Sequence, residues 1–495
     1  MPGRTLIQFF HWYTSEGGTL WDEVAGEAEN LSQMGVTDVW LPPSYKGASG
    51  PSSVGYDTYD LFDLGEFDQK GSTATKYGEL SSLQTAAKRL QEAGLGVIHD
   101  VVFNHKMGAD ETERVFVRRV NADDRNQIED EIFEASAYTR FTFPGRDGHH
   151  SQFIWDMKCF SGVDHLLDPD EDGLFRIANE YGDGEWNTEV DEELGNFDYL
   201  MGSDIEFRNT AVYEELKYWG RWFPQQVGCT GFRLDAAKHI PAWFFKDWVG
   251  HVRENVNPDL FVVAEYWHPD MEVLQSYLDK VDRQLMLFDV ALHHRFFDAS
   301  NAGGAFDLRT IFDGSLTASI PDHAVTLVAN HDTQPLQAME ASIQPWFKPL
   351  AYALILMREQ GTPCVFYPDL YGATYTDRGG DGELHTVQMP AIAALPKLIE
   401  ARKRFAHGAQ TDIFDDPHCI AILREGTAEL PGSITILSSA EQSTKKVFVG
   451  EVHAGCEFRD YLEHCNEKLV CDEAGYLDLR VNGGSVSIWV RSDAI

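Results

Sequence analysis

Two carboxyl residues, Asp235 and Glu265, each end an apolar run of the kind that forms β-strands. Asp235 closes Gly231-Phe232-Arg233-Leu234-Asp235, and Glu265 follows Leu260 through Ala264. Two carboxyl groups about 5–5.5 Å apart can break a glycosidic bond with retention, one attacking the anomeric carbon and the other carrying a proton for the leaving oxygen. Asp235 is the candidate nucleophile. Arg233 lies two residues earlier, on the same face of a strand, where a fixed cation would keep Asp235 ionised and aim it. Burial behind its apolar run suits Glu265 to hold a proton as general acid/base. Asp332 closes Val328-Ala329-Asn330-His331-Asp332 and is the third acid, suited to stabilising positive charge on a sugar ring and gripping hydroxyls. His331, and His105 in Asp100-Val101-Val102-Phe103-Asn104-His105, can donate hydrogen bonds to those hydroxyls. Taken singly, each cluster reads equally well as an ion pair, a solvated strand end or a helix cap. Four of them in this order at strand ends favour the catalytic reading.

Such residues need strands that end on one face. Eight strand-like runs are present: Thr5–Phe10, Asp38–Leu41, Gly96–Val102, Gly231–Leu234, Leu260–Ala264, Gln284–Asp289, Ala324–Ala329 and Pro363–Tyr367. Helix-period segments such as Leu80–Ala93, Asn209–Trp222 and Pro241–Asn255 lie between them, with Pro241 expected at a first helical position. This alternation predicts an α/β fold, a (β/α)8 TIM barrel, in which polar residues at C-terminal strand ends form the active site. The spacing breaks once, over the hundred or so residues from Asn104 to Arg208. A loop that long is a domain or a disordered insert, and its Phe, Tyr and Trp content argues for a folded domain. After Arg404 short alternating runs predict a C-terminal antiparallel β-sandwich. The expected division is therefore barrel 1–103, inserted domain 104–208, barrel 209–404 and β-domain 405–495.

The chain has 495 residues and a formal net charge of −39. That field repels nucleic acid and anionic lipid and leaves a neutral polymer unaffected. No stretch approaches the roughly 18 apolar residues of a membrane helix, and no signal peptide is visible. The seven cysteines are scattered, without metal-ligand spacing, and read as free thiols of a reducing cytoplasm; a secreted mature form is the alternative. A monomer is expected, with no nucleic-acid or membrane partner.

Over nearly its full length the chain resembles the α-amylase superfamily, in the branch of bacterial liquefying amylases and their intracellular relatives. Besides the four strand-end clusters, the resemblance rests on Gln8-Phe9-Phe10-His11-Trp12-Tyr13, on Trp40 through Gly47, on Gly55 through Gly65 to Lys76-Tyr77-Gly78, and on Asn196 through Met201. It implies a barrel with an inserted domain B after strand three, a C-terminal β-sandwich, and an endo-acting, retaining hydrolase of α-1,4-glucans such as starch, glycogen or maltooligosaccharides. It further implies Asp235 as nucleophile, Glu265 as acid/base and Asp332 as transition-state stabiliser. Tyr56 would stack on the sugar at the cleavage subsite, Lys238 and His239 would contact sugars on the leaving-group side, and Trp267 joins the substrate contacts. One structural Ca²⁺ is implied, held by Asn104, Asp198, Asp204 and the carbonyl of His239. Relatives of this branch add metals through two further Asp residues; the aligned positions here are the neutral Ser161 and Asn187, which predicts a reduced metal cluster. His11 also departs from the branch, standing where an acid is usual. The alternatives are an exo-acting or glycosyl-transferring enzyme with the same triad, and a non-catalytic glucan-binding protein.

Overall fold

The computed structural model describes residues 3–181 and 184–495. Eight parallel strands form a closed barrel: β1 (Leu6–Gln8), β2 (Asp38–Leu41), β3 (Gly96–Val101), β4 (Gly231–Leu234), β5 (Phe261–Ala264), β6 (Met286–Phe288), β7 (Ala324–Leu327) and β8 (Thr362–Phe366). Their order around the barrel is their order along the chain. Each is followed by a helix: α1 (Leu20–Met34), α2 (Leu80–Glu92), α3 (Thr210–Val227), α4 (Ala242–Asn255), α5 (Met271–Lys280), α6 (Val290–Ala302), α7 (Lys348–Met357) and α8 (Leu395–Phe405). All eight expected strands are present, trimmed by up to two residues at an end, and β8 begins one residue earlier than expected. The residues of β2, β4, β5 and β7 are buried throughout, as strands covered on both faces must be.

Two helix ends differ from expectation. Asn209 is the N-cap of α3, its side chain accepting the Ala211 N–H at 3.0 Å. The helix then runs past Trp222 and through Pro224 to Val227. An interior proline costs about 3 kcal/mol, and the burial of Trp219 and Phe223 on this helix offsets it. Gly228, at φ +71°, ends the helix with its N–H on the Pro224 carbonyl, 2.9 Å away. Pro241 is the N-cap of α4 rather than its first helical residue: its ψ is 128°, extended. The helix starts one residue later, and the Ala242 N–H, which has no partner within the helix, donates to the Glu189 carbonyl at 3.0 Å.

The chain divides into two compact units. One comprises Thr14–Ala28 and Trp40–Leu287. It includes a six-stranded antiparallel sheet with the spatial order His105–Lys106, Ser203–Ile205, Phe160–Leu167, Asp170–Ile177, Glu111–Val120, Phe133–Arg140. The other runs through Tyr13, then Glu29–Val39 and Phe288–Ile495. After α8 it forms a six-stranded antiparallel sheet and a two-stranded one (Ser443–Phe448 with Tyr476–Val481), whose buried faces share a core of Ile434, Ile436, Leu477, Leu479 and Trp489. A ribbon of Ala373–Arg378 and Leu384–Met389 between β8 and α8 was not foreseen from sequence.

All seven cysteines are free, five of them buried and Cys456 and Cys465 half-buried. Titrating the denatured, unreduced protein is expected to find seven thiols per chain; a count of five or fewer means that disulfides form.

Candidate active site

Arg233 organises the site in the unit that carries β3, β4 and β5. It stands between Asp100 and Val263 in the strand ladder. Its side chain is 1% exposed. Nη1 donates to Asp100 Oδ1 and to Asp235 Oδ1, both at 2.7 Å, and Nη2 donates to Glu265 Oε2. Asp235 and Glu265 therefore stand side by side on one guanidinium, 9% and 8% exposed. The backbone fixes the pair as well. Glu265 N–H donates to the Leu234 carbonyl and Asp235 N–H to the Val101 carbonyl, each at 2.9 Å. Burial lowers the basicity of Arg233, but the charges of Asp100, Glu265 and Asp235 outweigh it and hold the group well above the usual arginine range.

Asp100 was not singled out from the sequence, although it opens one of the four motifs. It is fully buried, and burial pushes its carboxyl up against the opposing pull of Arg233. Its second oxygen takes the Tyr56 hydroxyl at 2.8 Å and the Trp40 indole N–H at 3.2 Å. Tyr56 is thus tethered at its hydroxyl, with its ring 5.8 Å from the Arg233 guanidinium carbon. His105 hydrogen-bonds to the Tyr56 carbonyl at 2.8 Å, and burial lowers its pKa, keeping it neutral. The sequence signal for Asp100 was its place level with Arg233 on a neighbouring strand, which only the register reveals.

Glu265 does not sit in a purely apolar pocket. Arg233 takes one of its oxygens and the Trp267 indole N–H donates to the other. Directly after Asp235, Ala236 adopts φ +51°, in the left-handed region. That conformation costs a non-glycine residue about 1–2 kcal/mol. It turns the chain off β4 into the short helix Ala237–His239. Lys238 Nζ donates to Glu193 at 2.7 Å and to the Trp267 carbonyl at 3.4 Å. His239 hydrogen-bonds to the Phe197 carbonyl at 2.7 Å, and burial lowers its pKa to about 3.

In the same unit the four residues expected to hold calcium include buried oxygens of the right type. Asn104 Oδ1 and Asp198 Oδ1 are buried and accept no hydrogen bond, and so is Asn187 Oδ1. Asn104 Nδ2 donates to Asp204 at 3.2 Å. Burial raises the Asp198 carboxyl to about 6. Asp204 is also held well above the usual carboxylate range, by burial and then by the neighbouring Asp198 charge. Ser161 and Asn187 act as donors: Ser161 Oγ to Asp204, and the Asn187 N–H and Nδ2 to Asp198 at 3.0 and 2.9 Å. Among the described residues no group of three or more His, Cys, Asp or Glu is placed to hold a metal. The set here is instead two carboxylates with amide oxygens, donors that Ca²⁺ accepts.

The other unit carries Asp332 and His331. Gln8 Nε2 donates to His331 Nδ1 at 3.0 Å, leaving Nε2 as the ring N–H, 3.4 Å from Asp332 Oδ2. The ring stacks on Trp12, centroids 6.3 Å apart. Asn330 accepts the N–H groups of Asp332 and Thr333 at 3.0 and 2.9 Å, a turn that sets the aspartate past the end of β7. Tyr13, also not singled out, stacks on Tyr375 at 3.9 Å between centroids and donates to Asp377 at 2.8 Å. His11 packs on Tyr367, ring centroids 5.9 Å apart.

A closed (β/α)8 barrel with paired carboxyl groups at its strand ends has the form of a barrel glycoside hydrolase. The chain belongs to the α-amylase family: the family profile described as "Alpha amylase, catalytic domain" matches residues 21–393. It is 57% identical, over all 495 residues and the whole of the relative, to the "Cytoplasmic alpha-amylase" of Escherichia coli K12. It is 43% identical, over 98% of this chain and 92% of the relative, to the "Glucan 1,4-alpha-maltohexaosidase" of Bacillus sp. strain 707. The fold is similar to the acarbose-complexed α-amylase structure of Geobacillus thermoleovorans, with a TM-score of 0.64 at 17% identity over 99% of this chain and 98% of that one.

A lysine keeps the charge of Arg233 but cannot reach three carboxylates with a planar fork. Arg233→Lys is expected to lose about a hundredfold or more in kcat/KM while circular dichroism shows a folded protein. A folded mutant with wild-type turnover would mean that Arg233 does not aim the pair.

Proposed function

We propose that this chain is an endo-acting α-amylase that hydrolyses internal α-1,4 bonds of starch, glycogen or maltooligosaccharides with retention of configuration, working in the cytoplasm as the name of its E. coli relative indicates for that protein. The observation that carries the reading is the sharing of one guanidinium by Asp235 and Glu265.

In this mechanism Asp235 Oδ attacks the anomeric carbon as Glu265 gives its proton to the departing glycosidic oxygen. The covalent glycosyl-enzyme is then opened by a water that Glu265 deprotonates, and both carboxyls return to their starting states. For Glu265 to present a proton, one of its oxygens must exchange a present partner for the leaving oxygen; Trp267 is the one on a loop. Asp332 stabilises the oxocarbenium-like charge, and His105 and His331 hold sugar hydroxyls. Tyr56 stacks on the sugar at the cleavage point, its ring steadied through Asp100. Lys238 and His239 contact sugars on the leaving-group side, and Trp267 is a further substrate contact. The relative named a maltohexaosidase supports a second reading, release of products of one length.

Asn104, Asp198, Asp204 and the His239 carbonyl are the proposed calcium ligands, supported by the buried oxygens without hydrogen bonds at Asn104 and Asp198. Bound there, calcium would neutralise two buried carboxylates and tie the insert to the barrel. Ser161 and Asn187 already serve as neutral donors to those carboxylates, which supports one ion rather than a cluster.

Asp235→Asn and Glu265→Gln are each expected to lower kcat on the order of ten-thousandfold in folded protein. The first product should be the α-anomer, and early digests of soluble starch should contain mixed lengths. Near-wild-type turnover by either mutant, or a β-anomer, overturns the assignment; a single early product length favours the second reading. Metal analysis should find one tightly held calcium per chain, and chelation should lower melting temperature and activity together, both restored by added calcium. Two or more tight ions contradict the single site, and indifference to exhaustive chelation removes it.

A further inference from the structure

Cys456 and Cys471 face each other across an antiparallel hairpin at the edge of the C-terminal sheet. The hairpin joins Glu457–Asp460 to Lys468–Val470, the outermost strand of its sheet. Its register pairs Phe458 with Leu469 and Glu457 with Val470. One step further along, Cys456 comes opposite Cys471, whose N–H donates to the Cys456 carbonyl at 3.0 Å. The Gly455 N–H donates to the Cys471 carbonyl at 2.9 Å, so two residues oppose one. Gly455, at φ +74°, is the left-handed residue that such a bulge takes. Side chains alternate between the faces of a strand. Cys456 therefore shares the face of Phe458, and Cys471 that of Leu469. All four side chains pack in one hydrophobic core.

Residues directly opposite on antiparallel strands stand about 4.5–5.5 Å apart at Cα. A disulfide spans about 4.4–6.8 Å between Cα atoms, so the ladder places these two thiols for an S–S bond. They differ in access. Cys471 is 2% exposed. Burial, then the Asp472 charge and then Cys456, raise its pKa. Cys456 is half-buried and within reach of a small oxidant. That is the division between a thiol that is oxidised first and one that resolves it. The other cysteines stand differently. Cys159, Cys229 and Cys364 are buried, with thiols pushed up to about 12. Cys419 stands opposite Ser438. Cys465, the other half-buried thiol, accepts the Ser487 hydroxyl at 3.6 Å and donates to the Arg480 carbonyl at 3.8 Å. A metal does not explain the pair, since among the described residues no group of three or more His, Cys, Asp or Glu is placed to hold one.

We propose that Cys456 and Cys471 are a reversible oxidation site, at which hydrogen peroxide converts the two thiols to a disulfide that fastens the edge strand. The Cys456 sulfur attacks a peroxide oxygen and the O–O bond breaks, giving a sulfenic acid and one water. The Cys471 sulfur then attacks the Cys456 sulfur. The S–S bond forms, the S–O bond breaks, and the hydroxyl leaves as a second water with the Cys471 proton. Two electrons pass from the thiols to one peroxide. A dithiol returns both cysteines to thiols by exchange. In a reducing cytoplasm such a bond is transient. It closes a loop of about fifteen residues, and so restricts the unfolded chain more than the native one. The site is independent of the catalytic assignment above.

The test treats the full, reduced chain with hydrogen peroxide in its native state, at a dose that oxidises free glutathione, and then alkylates it in denaturant. Of the seven thiols two should be lost, and dithiothreitol should restore both. Peptide mapping without reduction should find one bond, Cys456 to Cys471, within a single chain. In Cys471→Ala, Cys456 should accumulate as a sulfenic acid that dimedone traps. Cys456→Ser should keep all its remaining thiols and hydrolyse starch at the wild-type rate. Treatment should raise the melting temperature of the wild type by about 2 °C or more relative to its effect on Cys456→Ser. Seven thiols surviving that dose overturn the proposal. A bond to Cys465, or between two chains, overturns the pairing. A lower melting temperature in the bonded protein means that the native strands do not hold the sulfurs in reach, and overturns it equally.

Discussion

One guanidinium among three carboxyl groups is the constraint on which the catalytic end of this barrel turns. Arg233 is buried, and so are Asp100, Asp235 and Glu265 around it. One cation cannot balance three anions in a poorly solvated place. Either a proton stays on one carboxyl or negative charge remains in excess. A retaining hydrolase uses both outcomes, a proton for the leaving oxygen and an anion for the anomeric carbon. Removing the cation would leave uncompensated buried charge, a loss of about 3–5 kcal/mol for a broken buried pair. The same residue therefore bears on folding and on reactivity.

The surrounding structure serves that cluster by holding it still. The parallel ladder puts Arg233 level with Asp100 on one side and Val263 on the other. Tyr56 and Trp40 fill the remaining oxygen of Asp100, so this carboxylate has no freedom to turn. The left-handed Ala236 is tolerated because the next N–H, that of Ala237, donates to the Glu265 carbonyl at 2.9 Å and locks the turn against β5. Strain beside the nucleophile is thus held by the strand that carries its partner acid.

Much of this was legible in the sequence because barrel strands are short and fully buried, so apolar runs ending in charge mark them plainly. The eight strands, α2 and the β-rich tail follow from period alone. The motif residues at 233, 235 and 265 meet as the strand-end rule requires. Asp100 was hidden because its meaning depends on register between strands more than a hundred residues apart. Tyr13, Tyr375 and Asp377 were hidden because an exposed ribbon has little periodicity to read. The partners of Glu265 were not legible because the run before it describes the barrel wall, while Trp267 comes from the loop beyond. Pro241 and Pro224 show the limit of local rules at helix ends: Pro241 caps its helix from outside, and a buried aromatic face carries α3 through Pro224.

The insert leaves and re-enters the barrel through a narrow neck. His105 pairs with Asp204 and Lys106 with Ser203, and the Ile205 N–H donates to the Asn104 carbonyl at 2.9 Å. To the barrel, an excursion of about a hundred residues is therefore equivalent to the turn of a hairpin. Chain closure across it costs only about 0.6 kcal/mol for each doubling of length, so the length of the excursion bears little on the register of β3, while Glu189, Glu193 and Phe197 within it fasten its far end to the turn after β4. The neck therefore lets residues be added to or removed from the middle of the insert without moving the ladder that aligns Arg233 with Asp100.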